Sequence, residues 1–280
     1  MKRKTAIALG TFDGLHKGHL AVLDLPKDYY KVAVTFGCPP RVSDTDEKEL
    51  IMSAEDKFKS FKKLGIDEIY SMNFADVKDM EAEAFLEFIN RKFSPSLVSC
   101  GFNYRFGKKG KGNTDTLEDF CLENDIEFRC VKPVEQNGNV ISSTAIRSLL
   151  KSGDVKTADS LLYEPFSFAA EVIHGDSRGR TIGFPTINQK FPEDLVKLKF
   201  GVYKTKVCFD GKEYYGITNI GVRPTFLSKY VISETYIKNF SGDLYGEKVR
   251  VIPVEFLREE VKFNSVEELM EQIKKDLIDC

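Results

Sequence analysis

The chain has 280 residues, 42% of them hydrophobic, and a formal net charge of −2. That length exceeds one typical domain of roughly 100–150 residues, so two domains are expected; the near-neutral charge lacks the footprint of a dedicated nucleic-acid binder, residues 108–111 forming only a local basic turn. No stretch approaches the ~20 apolar residues of a membrane span, and Met1-Lys2-Arg3-Lys4 is followed by a short strand-like run rather than the apolar core of a signal peptide.

The first apolar run, residues 6–9, leads into Gly10-Thr11-Phe12-Asp13-Gly14-Leu15-His16-Lys17-Gly18-His19. Two of the three histidines thus share one HxGH where a buried strand ends and a helix begins. Glycines let a ligand approach the backbone, a helix start offers N–H groups, and paired imidazoles donate to phosphate oxygens. The combination suits a nucleoside triphosphate. Strand-like runs at 32–36, 69–72, 97–100 and 128–131 then alternate with helical periodicity at 53–64, 81–91 and 117–124. Such alternation predicts a parallel sheet with crossover helices, with ligands at the carboxyl ends of its strands.

Next, Ser142, Ser143 and Thr144 stand at a helix start with Arg147 one turn later, so hydroxyls and a guanidinium can converge on phosphate. Taken alone, the same residues also read as an ordinary cap beside a solvated arginine. Beyond Tyr163-Glu164-Pro165 the pattern changes, which predicts domains at 1–163 and 164–280. Runs at 168–173, 202–209, 214–220, 231–237 and 248–256, separated by glycine-containing turns, predict a small antiparallel β-barrel. A closing helix carries Ser265 and Glu268 as a capping box. The expected fold class is therefore α/β plus all-β, a Rossmann-like parallel-sheet domain followed by a barrel with a terminal helix. The six cysteines show no CxxC pair and read as reduced thiols of a cytoplasmic protein, although their even number admits a disulfide framework.

The HxGH and Ser142-Ser143-Thr144-Ala145-Ile146-Arg147 together resemble the nucleotidyltransferase superfamily. In the second half, His174-Gly175-Asp176-Ser177-Arg178-Gly179-Arg180-Thr181-Ile182-Gly183-Phe184-Pro185-Thr186-Ile187-Asn188 resembles the riboflavin kinase signature, and residues 216–226 resemble its second element. Glu234-Thr235, Asp243-Leu244-Tyr245-Gly246 and the ending from Leu257-Arg258 through Phe263 continue the similarity. Nearly end to end, the chain resembles the bifunctional riboflavin kinase/FMN adenylyltransferases, the bacterial FAD synthetase family.

The resemblance implies ATP-dependent phosphorylation of riboflavin to FMN, then adenylylation of FMN to FAD with release of pyrophosphate. In the kinase half it implies Gly175, Gly179 and Gly183 closing over nucleotide, Thr186 and Asn188 on Mg²⁺ and phosphate, Glu234 as general base, and Arg258 and Phe263 as flavin contacts. In the adenylyltransferase half it implies Gly10, Phe12 and Gly18 shaping the ATP site and His16 and His19 donating to phosphate. Ser142, Ser143, Thr144 and Arg147 would hold the departing pyrophosphate, and Asn103 and Arg105 would contact flavin or its phosphate. Asp13 and Gly14 shape the turn. The implied partners are riboflavin, FMN, FAD and ATP, with no membrane and no nucleic acid; a homo-oligomer is compatible with the sequence.

The chain departs from the family pattern in places. Thr35-Phe36-Gly37-Cys38-Pro39-Pro40-Arg41 lacks the histidine of the usual Pro-His-Pro, and the interval from His19 to Val34 is short, with Pro26 ending any helix early. Tyr236 stands where a histidine commonly follows the Glu-Thr pair, and Asn103 where aspartate is frequent. Other readings stay open: a riboflavin kinase with a degenerate or regulatory first domain, such as an RNA-binding module using Lys108, Lys109 and Lys111, or a transferase with another acceptor, since HxGH also occurs in enzymes acting on pantetheine, nicotinate and glycerol phosphates.

Overall fold

A computed structural model describes residues 3–37, 49–175, 183–224 and 229–278. The chain divides into two compact units, one made of Met1–Ala145 with Leu161–Tyr163 and the other of Ile146–Ser160 with Glu164–Cys280. Residues 146–160 thus group with the second unit, whereas the sequence predicts a single boundary at 163.

In the first unit, β1 (Thr5–Leu9), β2 (Tyr30–Phe36), β3 (Glu68–Met72), β4 (Leu97–Gly101) and β5 (Glu127–Val131) form a parallel sheet in the order β3-β2-β1-β4-β5. Because β1 is central, both its faces are covered: Ile7 and Leu9 join Val32, Val34 and Val98 in one core, while Ala6 and Ala8 join Ala33 and Phe61 in another. This explains the near-continuous apolar runs of the sequence. The crossover segments carry α1 (Lys17–Leu23), α2 (Ala54–Lys63), α3 (Phe74–Val77), α4 (Ala82–Phe93) and α5 (Thr114–Glu123). Chain order reverses beside β1, so the loop after β1 lies at a topological switch point.

A short hairpin, β6 (Glu135–Gln136) and β7 (Asn139–Val140), turns at Asn137 and Gly138, both with positive φ, the pairing a two-residue hairpin favours. Helices α6 (Ser143–Ser152) and α7 (Val155–Leu161) follow, separated at Gly153 with φ +88°.

The second unit is a closed antiparallel barrel of β8 (Phe168–Ile173), β9 (Thr186–Lys190), β10 (Gly201–Phe209), β11 (Lys212–Pro224), β12 (Lys229–Ile237) and β13 (Lys248–Arg258), ordered β10-β11-β12-β9-β8-β13. Strand β9 is absent from the sequence-predicted set. Its fully covered positions are Asn188 and Gln189, so it has no apolar alternation to read. Inside the barrel Val172, Val207, Ile237 and Val249 pack together, and Thr205, Thr218 and Thr235 link their hydroxyls at 3.0 and 2.8 Å.

The closing helix α8 (Val266–Ile278) is capped by Ser265 Oγ, which accepts from Glu268 N at 3.2 Å, while Glu268 reaches back to Asn264 N. Arg258 ties the end of β13 to this helix through Nη2 and Nε on the buried Asp276 carboxylate, at 2.8 and 3.0 Å to Oδ2. Asp276→Ala is expected to cost about 2 kcal/mol, the usual scale for a hydrogen-bonded charge. Denaturant midpoints of the second unit check this; a midpoint equal to that of the unaltered chain would show that the pair contributes nothing.

Candidate functional site

Past Leu9 the backbone stays tied to the sheet for one more residue, with Gly10 N donating to Val34 O at 3.2 Å. The loop then turns through Phe12 (φ 52°), Gly14 (φ 83°) and Leu15 (φ 47°). Two of these are side-chain-bearing residues in the left-handed region, a conformation that persists only where neighbours enforce it. The neighbours are specific. Thr11 O accepts from Thr35 Oγ1 at 3.0 Å and from Lys57 Nζ at 3.3 Å, and the buried Lys57 also donates to Phe36 O at 2.5 Å. Asp13, also buried, accepts from Ile51 N at 3.0 Å through its carboxylate and from Ser143 Oγ at 3.0 Å through its carbonyl. A Cβ on Gly10 would press on the Phe12 ring at 2.9 Å, and one on Gly18 would press on His16 at 3.1 Å, so both glycines permit close packing.

His16 is the N-cap of α1: its Nδ1 accepts from His19 N at 3.3 Å, which leaves the His16 proton on Nε2. The amide of His19 is therefore occupied, a correction to the expected row of open N–H groups, and α1 has only seven residues. The two imidazoles stack at 3.6 Å and 19°, and Phe12 meets His19 edge-on at 5.4 Å. Burial lowers His16 from 6.5 to about 4. His19 is held well below 6.5 by burial first and then by the charges of His16 and Lys57. Both rings are neutral near pH 7, and His19 Nδ1 is buried without a hydrogen-bond partner.

The other residues expected for the adenylyltransferase half differ in availability. Ser142 Oγ accepts from Ala145 N at 3.2 Å and keeps its own O–H, whereas Ser143 has given its O–H to Asp13. Thr144 is exposed, and Arg147 follows half-buried in the part of α6 grouped with the second unit. Asn103 and Arg105 are exposed on the loop after β4, which closes through Tyr104 N to Gly101 O at 3.0 Å.

On the barrel, strand register places Asn188, Glu234 and Asn219 directly opposite one another across β9, β12 and β11. Thr186 and Tyr236 form the next pair along that same face, while Thr235 and Thr218 point into the barrel. Asn188 is buried beneath Gly175, where any Cβ would collide with its amide. Tyr236 packs edge-on against Phe184 at 5.4 Å, and His174 stacks on Tyr245 at 3.9 Å. Gly183 takes φ +82°, which a glycine tolerates. Gly179 lies outside the described residues, as do residues 38–41 of the segment lacking the Pro-His-Pro histidine. Phe263 lies 5.8 Å from the Arg258 guanidinium, whose fork is engaged by Asp276.

The sequence reading missed Lys57 and Asn219. Lys57 stands four residues before the fully buried Phe61 on α2, so helical period alone would put it inward, but its charge reads as solvated. Asn219 donates to Glu260 Oε1 at 2.8 Å and keeps a buried, unpartnered Oδ1 beside Glu234 in the register.

An imidazole pair at the switch point of a parallel sheet, and a barrel face of hydroxyl, amide and carboxylate oxygens, define a two-part nucleotide-dependent transferase. The FAD synthetase family model matches residues 1–145 and the riboflavin kinase family model matches residues 162–280. The chain belongs to the family of bifunctional riboflavin kinase/FMN adenylyltransferases. It is 35% identical over 281 residues to the enzyme of that name from Listeria monocytogenes, covering 96% of this chain and 89% of the relative. The Bacillus subtilis enzyme is 34% identical over 286 residues, at 98% and 90% coverage. A crystal structure from Streptococcus pneumoniae described as a macrolide-efflux protein matches with a TM-score of 0.90 and 29% identity, covering 99% of this chain and 94% of that one. Among the described residues here, no helix is long and apolar enough to cross a membrane.

The depressed His16 value fixes the sign of a pH effect. Between 6.5 and about 4 the unfolded chain binds more protons than the folded one, so stability falls as pH drops through that window. Denaturation of the first unit across it is expected to show this loss, and His16→Gln is expected to flatten the profile; an unchanged slope in the variant would contradict the assignment.

Proposed function

We propose that this chain converts riboflavin to FMN in its barrel unit and FMN to FAD in its sheet unit, using one ATP for each step. The observation that carries the reading is the coexistence of two matched sites in one chain: the Asn188, Glu234 and Asn219 row and the neutral His16 and His19 pair.

In the kinase reaction, Glu234 takes the proton of the ribityl 5′-hydroxyl as its oxygen bonds to the γ-phosphorus of ATP, and the bond to the β-phosphate oxygen breaks to release ADP. Thr186 and Asn188 present hard oxygen donors on the face that carries Glu234, a donor set that suits Mg²⁺, and both would hold it. Bound there, Mg²⁺ would offset phosphate charge during transfer. Gly175 and Gly183 are assigned to the nucleotide side, and Phe263 is the better placed flavin contact because Arg258 is engaged by Asp276.

In the adenylyl transfer, an FMN phosphate oxygen bonds to the α-phosphorus of ATP while the bond to the β-phosphate oxygen breaks, releasing pyrophosphate. The nucleophile is already an anion, so no protein group needs to remove a proton. Catalysis then rests on position and on donors aimed at the phosphates. His16 and His19, neutral near pH 7, each offer one N–H. Ser142 and Thr144 retain O–H groups for the pyrophosphate, while Ser143 fixes the loop instead. Asn103 and Arg105 are assigned to the flavin side. A cytoplasmic setting, where ATP and flavins are at hand, fits this reading, with small molecules as partners.

Separating the flavins formed by variants checks both assignments. Glu234→Gln is expected to slow riboflavin phosphorylation by roughly 10²-fold or more while leaving FMN adenylylation intact. His19→Asn is expected to slow FAD formation from FMN by roughly 10²-fold and to leave the kinase rate unchanged. Variants that keep both rates would contradict the two sites, and a chain that forms FMN but no FAD would be a kinase with a degenerate first unit.

A further inference from the structure

Helix α1 is too short to hold its own geometry. An isolated helix below about 12 residues is marginal in water, and α1 has seven, with no basic residue in its last turn to meet the terminal carbonyls. Yet both imidazoles depend on it, His16 as its cap and His19 within its first turn. Its far end is fixed by a residue that neither the motifs nor the family match singled out.

Arg129 lies on β5 opposite Ser99 of β4. Its Nη1 donates to Asp24 O at 2.8 Å, and its Nη2 donates to Val22 O at 3.2 Å and Ala21 O at 3.4 Å. Nε and Nη2 also reach Ser99 Oγ, at 3.2 and 3.1 Å, and Ser99 in turn donates to Val22 O at 2.9 Å. One planar guanidinium therefore satisfies the last carbonyls of α1 and complements the negative end of the helix dipole. The rod is only two turns long, so fixing its C-terminal end on β4 and β5 also fixes the angle at which His16 and His19 leave its N-terminal end.

We propose that Arg129 is a positioning residue for FMN adenylylation: clamped with Ser99 on the last turn of α1, it aligns the imidazole pair. This rests on the reading of His16 and His19 as phosphate donors given above. The Arg129 guanidinium is engaged by Ser99 and by the carbonyls of Ala21, Val22 and Asp24, so its loss is expected to act through geometry. A displacement of about 1 Å in a catalytic group costs on the order of 10²-fold in rate.

The test compares Arg129→Met and Arg129→Lys in the full chain. Steady-state kcat and KM for FMN adenylylation are measured, with riboflavin phosphorylation by the same molecules as an internal reference, and imidazole NMR titrations follow His16 and His19. Arg129→Met is expected to lower the adenylylation kcat by roughly 10- to 100-fold, to change KM for ATP and FMN by less than about threefold, and to leave the kinase rate alone. Its histidines are expected to titrate nearer their ordinary value as the rings lose cover, and Arg129→Lys, which keeps the charge but not the fork, to recover part of both effects. An unchanged kcat together with unchanged histidine titrations would overturn the proposal, as would equal losses in both activities. Shifted titrations with no change in adenylylation would uphold the clamp and instead overturn the role given to the imidazoles.

Discussion

The carbonyls at the carboxyl end of a central parallel strand have no further strand to bond to, and here a buried ammonium takes them. Lys57 donates to Thr11 O, just past the end of β1, and to Phe36 O, the last carbonyl of β2, and Thr35 adds a second donor on Thr11 O. A charge can be buried this deeply only where polar partners replace water. The loop that results is pinned again by Asp13, which holds Ile51 N on one side and Ser143 Oγ on the other. Phe12 and Leu15 can then remain in left-handed conformations, and His16 arrives in position to cap α1. The active chemistry of the first unit is downstream of that set of buried polar contacts.

The neutrality of the imidazoles follows from the same burial. A cationic pair stacked at 3.6 Å would be self-repelling, and Lys57 adds a third positive charge nearby. On the function proposed above, the site would work through oriented N–H donors rather than through histidine charge, which agrees with a reaction whose nucleophile is already ionised. The barrel unit solves a different problem. Its interior is filled by aliphatic side chains and a chain of threonine hydroxyls, leaving the opposite face of β9, β12 and β11 to carry Asn188, Glu234 and Asn219. The kinase step proposed for that face moves a proton, and Glu234 is the carboxylate proposed to take it.

Much of this was readable before any coordinates. The inner parallel strands announce themselves because both their faces are covered, so Ala6 to Leu9 or Val32 to Val34 show unbroken apolar runs. The two halves were equally visible, since HxGH and the Pro185-Thr186-Ile187-Asn188 segment are chemically distinctive. What escaped was polar and buried. Strand β9 buries Gln189 inside the barrel and Asn188 on the opposite face, which hides it from any apolar pattern. Lys57 reads as a surface lysine, Arg129 as one charge in an ordinary edge strand, and His16 as a ligand rather than as a helix cap. Ser143 reads as a phosphate donor, yet its only hydrogen is committed to Asp13. His16 caps a helix only three residues on, but the others have partners remote in sequence, so local propensity carries no trace of them.

Two distinct phosphorus transfers by one chain would leave different phosphates of ATP in the products, so the fate of two labels separates them. Riboflavin would be incubated with Mg²⁺ and ATP labelled with one phosphorus isotope at the γ-position and another at the α-position, and the flavins separated. FMN is expected to carry only the γ label and FAD both, one from each step. Label from the γ-position in FMN with no α label in any flavin would contradict it, leaving the sheet unit without the transfer assigned to His16 and His19.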